Sequence, residues 1–84
     1  MPEMPDCYEL VTREGCHLCD EMAIVLDQVL PERGLKWRPL DVDSDPGLRQ
    51  RFSDVVPVLL RDGRPVAKVR VSRTQLERIV ARRR

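Results

Sequence analysis

The chain has 84 residues, 42% of them apolar and 35% charged, and its 15 Lys and Arg against 14 Asp and Glu leave a net charge of +1. Two hydrophobic cores could not each bury enough surface in so short a chain to offset its conformational entropy, so a single domain spanning residues 1–84 is expected. No apolar stretch approaches the roughly 20 residues that span a bilayer, and the basic residues gather at the end of the chain without the interleaved aromatics or wider cationic surface of a phosphate-binding patch, so neither membrane nor nucleic acid is expected as a partner.

The opening Met1-Pro2-Glu3-Met4-Pro5-Asp6 has neither a basic start nor an apolar run. It does not read as a secretory signal; residues 1–6 are expected to be flexible and the protein cytoplasmic. Three cysteines are too few, and an odd number, for the disulfide framework of a small secreted domain. In a reducing compartment a close cysteine pair points instead to catalysis or to metal binding.

Residues 7–12, Cys-Tyr-Glu-Leu-Val-Thr, read as a first strand that stops at Arg13-Glu14-Gly15. From His17 to about Leu30 the apolar residues Leu18, Met22, Val25, Leu26, Val29 and Leu30 fall at helical spacing, with Asp20 and Glu21 in the first turn and Pro31 and Gly34 closing it. Residues 35–42 read as a second strand, placed at a sheet edge because Pro39 has no N–H for the ladder. Asp45-Pro46 then has the form of a helix cap followed by proline at the first helical position, opening a short helix with Leu48 and Phe52 one turn apart.

Residues 55–60 and 66–71 flank Asp62-Gly63, a strong turn signal, and are expected to pair as an antiparallel hairpin whose nearly all-apolar first member is central. Ser72-Arg73-Thr74-Gln75 has the form of a capping box, and Leu76, Ile79 and Val80 give the last helix one apolar side. The order β-α-β-α-β-β-α requires an α/β domain with a four-stranded mixed sheet and helices on both faces, which is the thioredoxin-like order. Arg73, Arg78, Arg82, Arg83 and Arg84 make the end of the chain basic, and read as a solvated helix face.

The chemistry lies in Cys16-His17-Leu18-Cys19. A two-residue spacer at a helix start gives one accessible thiol and a second close enough to close a disulfide. Cys16, at the helix N-terminus, is the expected nucleophile, because unpaired N–H groups and the helix dipole favour the thiolate there. Cys19, one turn in, is the expected resolving thiol. His17 and Arg13 are placed to add positive charge, whereas Glu14, Asp20 and Glu21 oppose it.

Zinc uses the same Cys-x-x-Cys spacing but wants four ligands, and only Cys16, Cys19 and His17 lie close in sequence. Cys7 is roughly 15 Å or more from the far end of its own strand and reads as a small buried hydrophobe, so no metal is expected. Asp41, Asp43 and Asp45 alternate as in a calcium loop, but Pro46 and Phe52 stand where its glycine and closing acid belong. Trp37 reads as a packing residue on the edge strand. No cofactor is expected, and the chain is expected to act as a monomer.

Pro57, at the start of an apolar central strand, is unusual unless it serves a turn or a cis bond. Together with Cys-His-Leu-Cys, the acidic pair Asp20-Glu21, Val56-Pro57-Val58 and Asp62-Gly63, it makes the sequence resemble the short glutaredoxin-like proteins from about Cys7 to Val80. The resemblance implies a cis peptide before Pro57, packed beside the cysteine pair, and a Val56 backbone offered to a bound peptide or to glutathione as an added strand. It also implies dithiol-disulfide exchange with protein disulfides or glutathione-like thiols, with glutathione or a thiol reductase as reductant. Glutaredoxins typically carry Cys-Pro-Tyr-Cys and a Gly-Gly pair before the last helix, whereas this chain has Cys-His-Leu-Cys and Val71-Ser72. Ser72 and Arg73, at that helix start, are the candidate carboxylate-binding residues, with plain capping of the helix as the alternative reading. A metal or iron-sulfur carrier, or a binding module without redox turnover, is the alternative that the same residues leave open.

Overall fold

A computed structural model describes residues 7–82; the segment 1–6, expected to be flexible, and Arg83 and Arg84 of the basic end lie outside the described residues. The elements are β1 (Tyr8–Thr12), α1 (His17–Val29), β2 (Trp37–Asp41), α2 (Pro46–Phe52), β3 (Val58–Arg61), β4 (Arg64–Lys68) and α3 (Arg73–Ala81), with 3-10 turns at Pro31–Arg33 and Val42–Ser44. The strands form one mixed sheet in the order β2-β1-β3-β4. β1 runs parallel to β2 through the α1 crossover and antiparallel to β3, which pairs antiparallel with β4. This is the thioredoxin-like arrangement expected from the element order.

Strand alternation divides the core between the two faces of the sheet. Tyr8, Leu10 and Leu59 point to one face and pack with Met22, Leu26 and Val29 of α1 and Leu76 and Val80 of α3. Val11, Val58 and Leu60 point to the other and pack with Val42 and with Phe52 of α2. Leu10, Leu26, Leu59 and Leu76 are fully enclosed, and each contributes about 1.5–3 kcal/mol by leaving water.

The proline positions follow the ladder requirement. Pro39 is in β2 and Pro65 in β4, the two edge strands of the sheet, where an absent N–H leaves no neighbour unpaired. Glu9 and Arg38 are direct partners across β1 and β2 and form an ion pair, with Arg38 Nε donating to Glu9 at 2.8 Å.

Several boundaries differ from the sequence reading. β2 begins at Trp37 and ends at Asp41, because Leu35 and Val42 at its two ends turn inward into the two core clusters. Trp37 is half-buried against the first cluster and donates its indole N–H to Asp27 at 2.9 Å. In the hairpin, residues 55–57 precede β3 and residues 69–71 follow β4. β4 stops at Lys68 because Val69 has φ +67°, outside the extended region. Cys7 is exposed rather than buried. It lies just outside β1, its N–H donating to the Asp62 carboxylate at 2.9 Å and its carbonyl accepting from the Asp62 N–H at 2.8 Å.

The caps match their sequence signals. Asp45 Oδ1 accepts the Gly47 N–H at 2.6 Å ahead of Pro46. At α3 the Ser72 hydroxyl accepts from the Gln75 N–H at 3.1 Å while the Gln75 side chain accepts from the Ser72 N–H at 2.9 Å, a complete capping box.

Candidate functional site

The site lies at the C-terminal end of β1, the end of a parallel strand pair at which α/β folds place their chemistry. β1 leaves the sheet at Thr12 and turns through residues 13–16, with the Cys16 N–H donating to the Arg13 carbonyl at 3.2 Å. Gly15 takes φ +77° at the third turn position, a conformation that glycine adopts without steric cost. The turn delivers Cys16 as the N-cap of α1, where its sulfur accepts the Cys19 N–H at 3.1 Å. In the reduced pair, an N–H donor at that place, with the dipole of a 13-residue helix behind it, favours the thiolate of Cys16.

Cys16 is half-buried and Cys19 is 3% exposed. The two sulfurs are joined as a disulfide across a Cα–Cα distance of 5.2 Å, inside the span that a disulfide accepts. The pair thus has one accessible and one enclosed sulfur.

The charged neighbours are arranged differently from the sequence expectation. His17 extends into solvent and binds Glu21, with Nε2 3.0 Å from the carboxylate one turn along. Arg13 is not free to serve the thiol. Its guanidinium meets both carboxylate oxygens of Asp43, at 3.1 and 3.2 Å, and donates to the Ser53 carbonyl at 3.2 Å and the Ser53 hydroxyl at 2.8 Å. The fork of N–H donors on arginine suits this bidentate pairing. The hydrogen bond from Arg13 holds the Asp43 carboxyl below the usual carboxylate range, with further help from the charges of Arg13 and Arg49, and Asp43 in turn raises Arg13.

Arg13 is the residue that sequence reasoning undervalued. Asp43 and Ser53 are 30 and 40 positions away, and no local pattern announces such a pairing. The same contacts explain the alternating acids: Asp43 binds Arg13, Asp41 accepts the Asp43 N–H at 2.9 Å, and Asp45 caps α2. Among the described residues no three His, Cys, Asp or Glu side chains cluster as a metal site would require.

Val56 and Pro57 precede β3, and the peptide between them is cis. Extending the β1–β3 register, in which Val11 faces Val58, sets Pro57 beside Thr12 at the mouth of the cysteine turn. The Pro57 carbonyl accepts the N–H of Val69 at 2.7 Å. Val56 is half-buried, and among the described residues its backbone groups have no hydrogen-bond partner.

A groove of about 560 Å³ runs from Leu18, between the cysteines, along α1 to the segment joining β4 and α3. Met22, Ile24, Val25, Val69 and Val71 make its walls largely apolar. It contains both large hydrophobic side chains that the described residues expose, Ile24 at 58% and Val69 at 38%. Ser72 borders the groove, with its hydroxyl and N–H engaged in the capping box. Arg73 reaches Glu32 at 3.0 Å and Glu77 at 3.6 Å. The structure thus brings Cys16 and Cys19 together, turns the His17 side chain away to Glu21, sets Val56 and Pro57 at the same end of the sheet, and ties Ser72 and Arg73 into intramolecular contacts.

Comparison with known proteins agrees with the fold described above. The chain is 38% identical over 79 residues to an uncharacterized protein of Mycobacterium tuberculosis, covering 88% of this chain and 81% of the relative, and equally to one of Mycobacterium bovis. Among solved structures, an X. campestris protein superposes with a TM-score of 0.74 at 27% identity, over 88% of this chain and 95% of that one. A Nitrosomonas europaea protein gives 0.78 at 22% identity, over 94% and 95%. Fasciola hepatica thioredoxin shares the fold, with a TM-score of 0.60 at 17% identity over 92% of this chain and 79% of its own. No helix among the described residues is long and apolar enough to cross a membrane. The sequence profile of the glutaredoxin-like domain (DUF836) matches residues 8–81, and the chain belongs to that family.

Proposed function

We propose that the protein is a thiol-disulfide oxidoreductase acting by dithiol-disulfide exchange. The carrying observation is the pair itself, with Cys16 accessible at the N-cap of α1 and Cys19 enclosed one turn later within bonding reach. In the reducing direction the Cys16 thiolate attacks one sulfur of a partner disulfide, forming a mixed disulfide and releasing the first partner thiolate. The Cys19 thiolate then attacks the Cys16 sulfur, closing Cys16–Cys19 and releasing the second. The partner gains two electrons and the cysteine pair loses two, and the thiol protons pass to solvent or to the departing thiolates.

Protein disulfides and glutathione-like mixed disulfides are the proposed partners, the backbone of Val56 pairing with an extended substrate segment. Ser72 borders the apolar groove beside this surface and Arg73 follows it at the start of α3, and both are proposed to meet the carboxylate of such a substrate, with His17, next to Cys16 in the chain, as a further contact. Glutathione or a thiol reductase would return the pair to the dithiol, and a reducing compartment such as the cytoplasm suits a monomer cycling in this way. The decisive variants are Cys16→Ser, expected to abolish exchange with a model disulfide, and Cys19→Ser, expected to arrest it at the mixed disulfide. Full activity in Cys16→Ser would overturn the reading.

A further inference from the structure

We propose that Arg13 is the positioning residue of the cysteine site, using its backbone to hold Cys16 and its side chain to lock that turn onto the segment between β2 and β3. The inference rests on the exchange reading and goes beyond it by assigning the element that fixes the attacking sulfur.

The contacts form one continuous path. Cys16 donates its N–H to the Arg13 carbonyl. From the same residue the guanidinium makes four hydrogen bonds, two to Asp43 and two to Ser53. Asp43 is itself held by Arg49, whose Nη2 donates to the Asp43 carbonyl at 2.9 Å. Ser53 ends α2, with its N–H bonded to the Arg49 carbonyl at 3.1 Å. The far end of the path is therefore anchored in regular structure, and Phe52 beside it is buried in the second core cluster.

The turn needs such an anchor. Glu14 and Gly15 are exposed, and a short exposed turn containing glycine has little stiffness of its own. Cys19 is enclosed within α1, whereas Cys16 at the N-cap is held from two sides: its carbonyl accepts the Asp20 N–H at 3.2 Å and its N–H donates to the Arg13 carbonyl, so the approach of its sulfur to Cys19 depends in part on the turn behind it. Holding that turn raises the effective concentration of one thiol at the other, which favours ring closure and speeds attack of Cys19 on the mixed disulfide. Lysine cannot substitute, because an ammonium lacks the planar fork that meets Asp43 and Ser53 together.

The test is the dithiol-disulfide equilibrium in glutathione buffer, measured well below the melting temperature for the unaltered protein, Arg13→Gln, Arg13→Lys, Asp43→Asn and the double variant Arg13→Gln/Asp43→Asn. Arg13→Gln and Arg13→Lys, which lose the fork to Asp43 and Ser53, are expected to shift the equilibrium toward the dithiol by about 10-fold, Asp43→Asn, which leaves the Ser53 bonds, by less, and the double variant by no more than Arg13→Gln alone, because groups that act as one unit are not additive. Mixed disulfide should accumulate in all of them. Single variants that melt lower but keep the unaltered equilibrium would reduce Arg13 to a structural contact and overturn the inference while leaving exchange intact. Additive shifts would also overturn it. A protein in which Cys16 and Cys19 never pair would overturn the exchange reading along with it.

Discussion

Val69 donates its N–H to the carbonyl of Pro57 at 2.7 Å, joining the segment after β4 to the entry of β3 at the mouth of the cysteine turn. Val69 holds φ +67° while the Arg70 N–H reaches back to the Lys68 carbonyl at 2.7 Å, so a β-branched residue forms the corner of a tight three-residue turn. Such a conformation is costly for valine and cheap for glycine. Val69→Gly is therefore expected to change stability by less than about 1 kcal/mol, relief of strain offsetting the added chain entropy. Val69→Pro, which removes the donor and demands a negative φ, is expected to cost about 3 kcal/mol or more. Urea denaturation of the two variants checks the contrast, and equal losses would contradict the reading of this turn.

Asp43 makes stability depend on acid. Its carboxyl ionises more readily in the folded protein, chiefly through the hydrogen bond from Arg13. As pH falls the unfolded chain takes up the proton first, so the contribution of Asp43 is complete above about pH 4 and is lost as pH falls through the lower value of the folded state. Thermal melts from pH 7 to pH 2 should show Asp43→Asn less stable at neutral pH and converging on the unaltered protein in acid.

Ser72 caps α3 with both halves of its box filled. Ser72→Ala is expected to cost about 1 kcal/mol, which lowers the melting temperature of a domain this size by about 4–8 °C. An unchanged melting temperature would mean that the box adds nothing to the fold.

Leu26 is fully buried between α1 and the sheet, whereas Ile24, two residues earlier on the same helix, is 58% exposed in the groove. Leu26→Ala is expected to destabilise by about 2–5 kcal/mol and Ile24→Ala by about 0.5 kcal/mol or less. Denaturant midpoints of the two variants measure the difference.

Much of the fold was legible because local signals agreed with one another. Pro39 placed its strand at an edge, Asp62-Gly63 fixed the hairpin, where both residues take positive φ, and the cap sequences marked two helix starts. Apolarity alone placed the hairpin ends poorly. Val55 and Val56 pack on the second core cluster before β3 begins, and Val69 turns away after β4 ends. Both segments look like strand in composition, and the difference lies in φ and in tertiary partners that a sequence does not show. Cys7 departs from its expected burial for a related reason: a cysteine one position outside the strand meets water rather than core. At the site, Cys16 and Cys19 were evident from spacing, whereas the engagement of Arg13 with Asp43 and Ser53 depends on bringing together segments that are 30 and 40 residues apart.

The most direct test of the central claim is an equilibrium titration of the protein in glutathione buffers of graded poise, with free thiols alkylated and located by mass. Exchange through the pair predicts that Cys16 and Cys19 lose their thiols together at a midpoint between about −150 and −300 mV, while the exposed Cys7 forms no bond with either. Thiols at Cys16 and Cys19 that persist across the whole range, or that are lost one without the other, would contradict it.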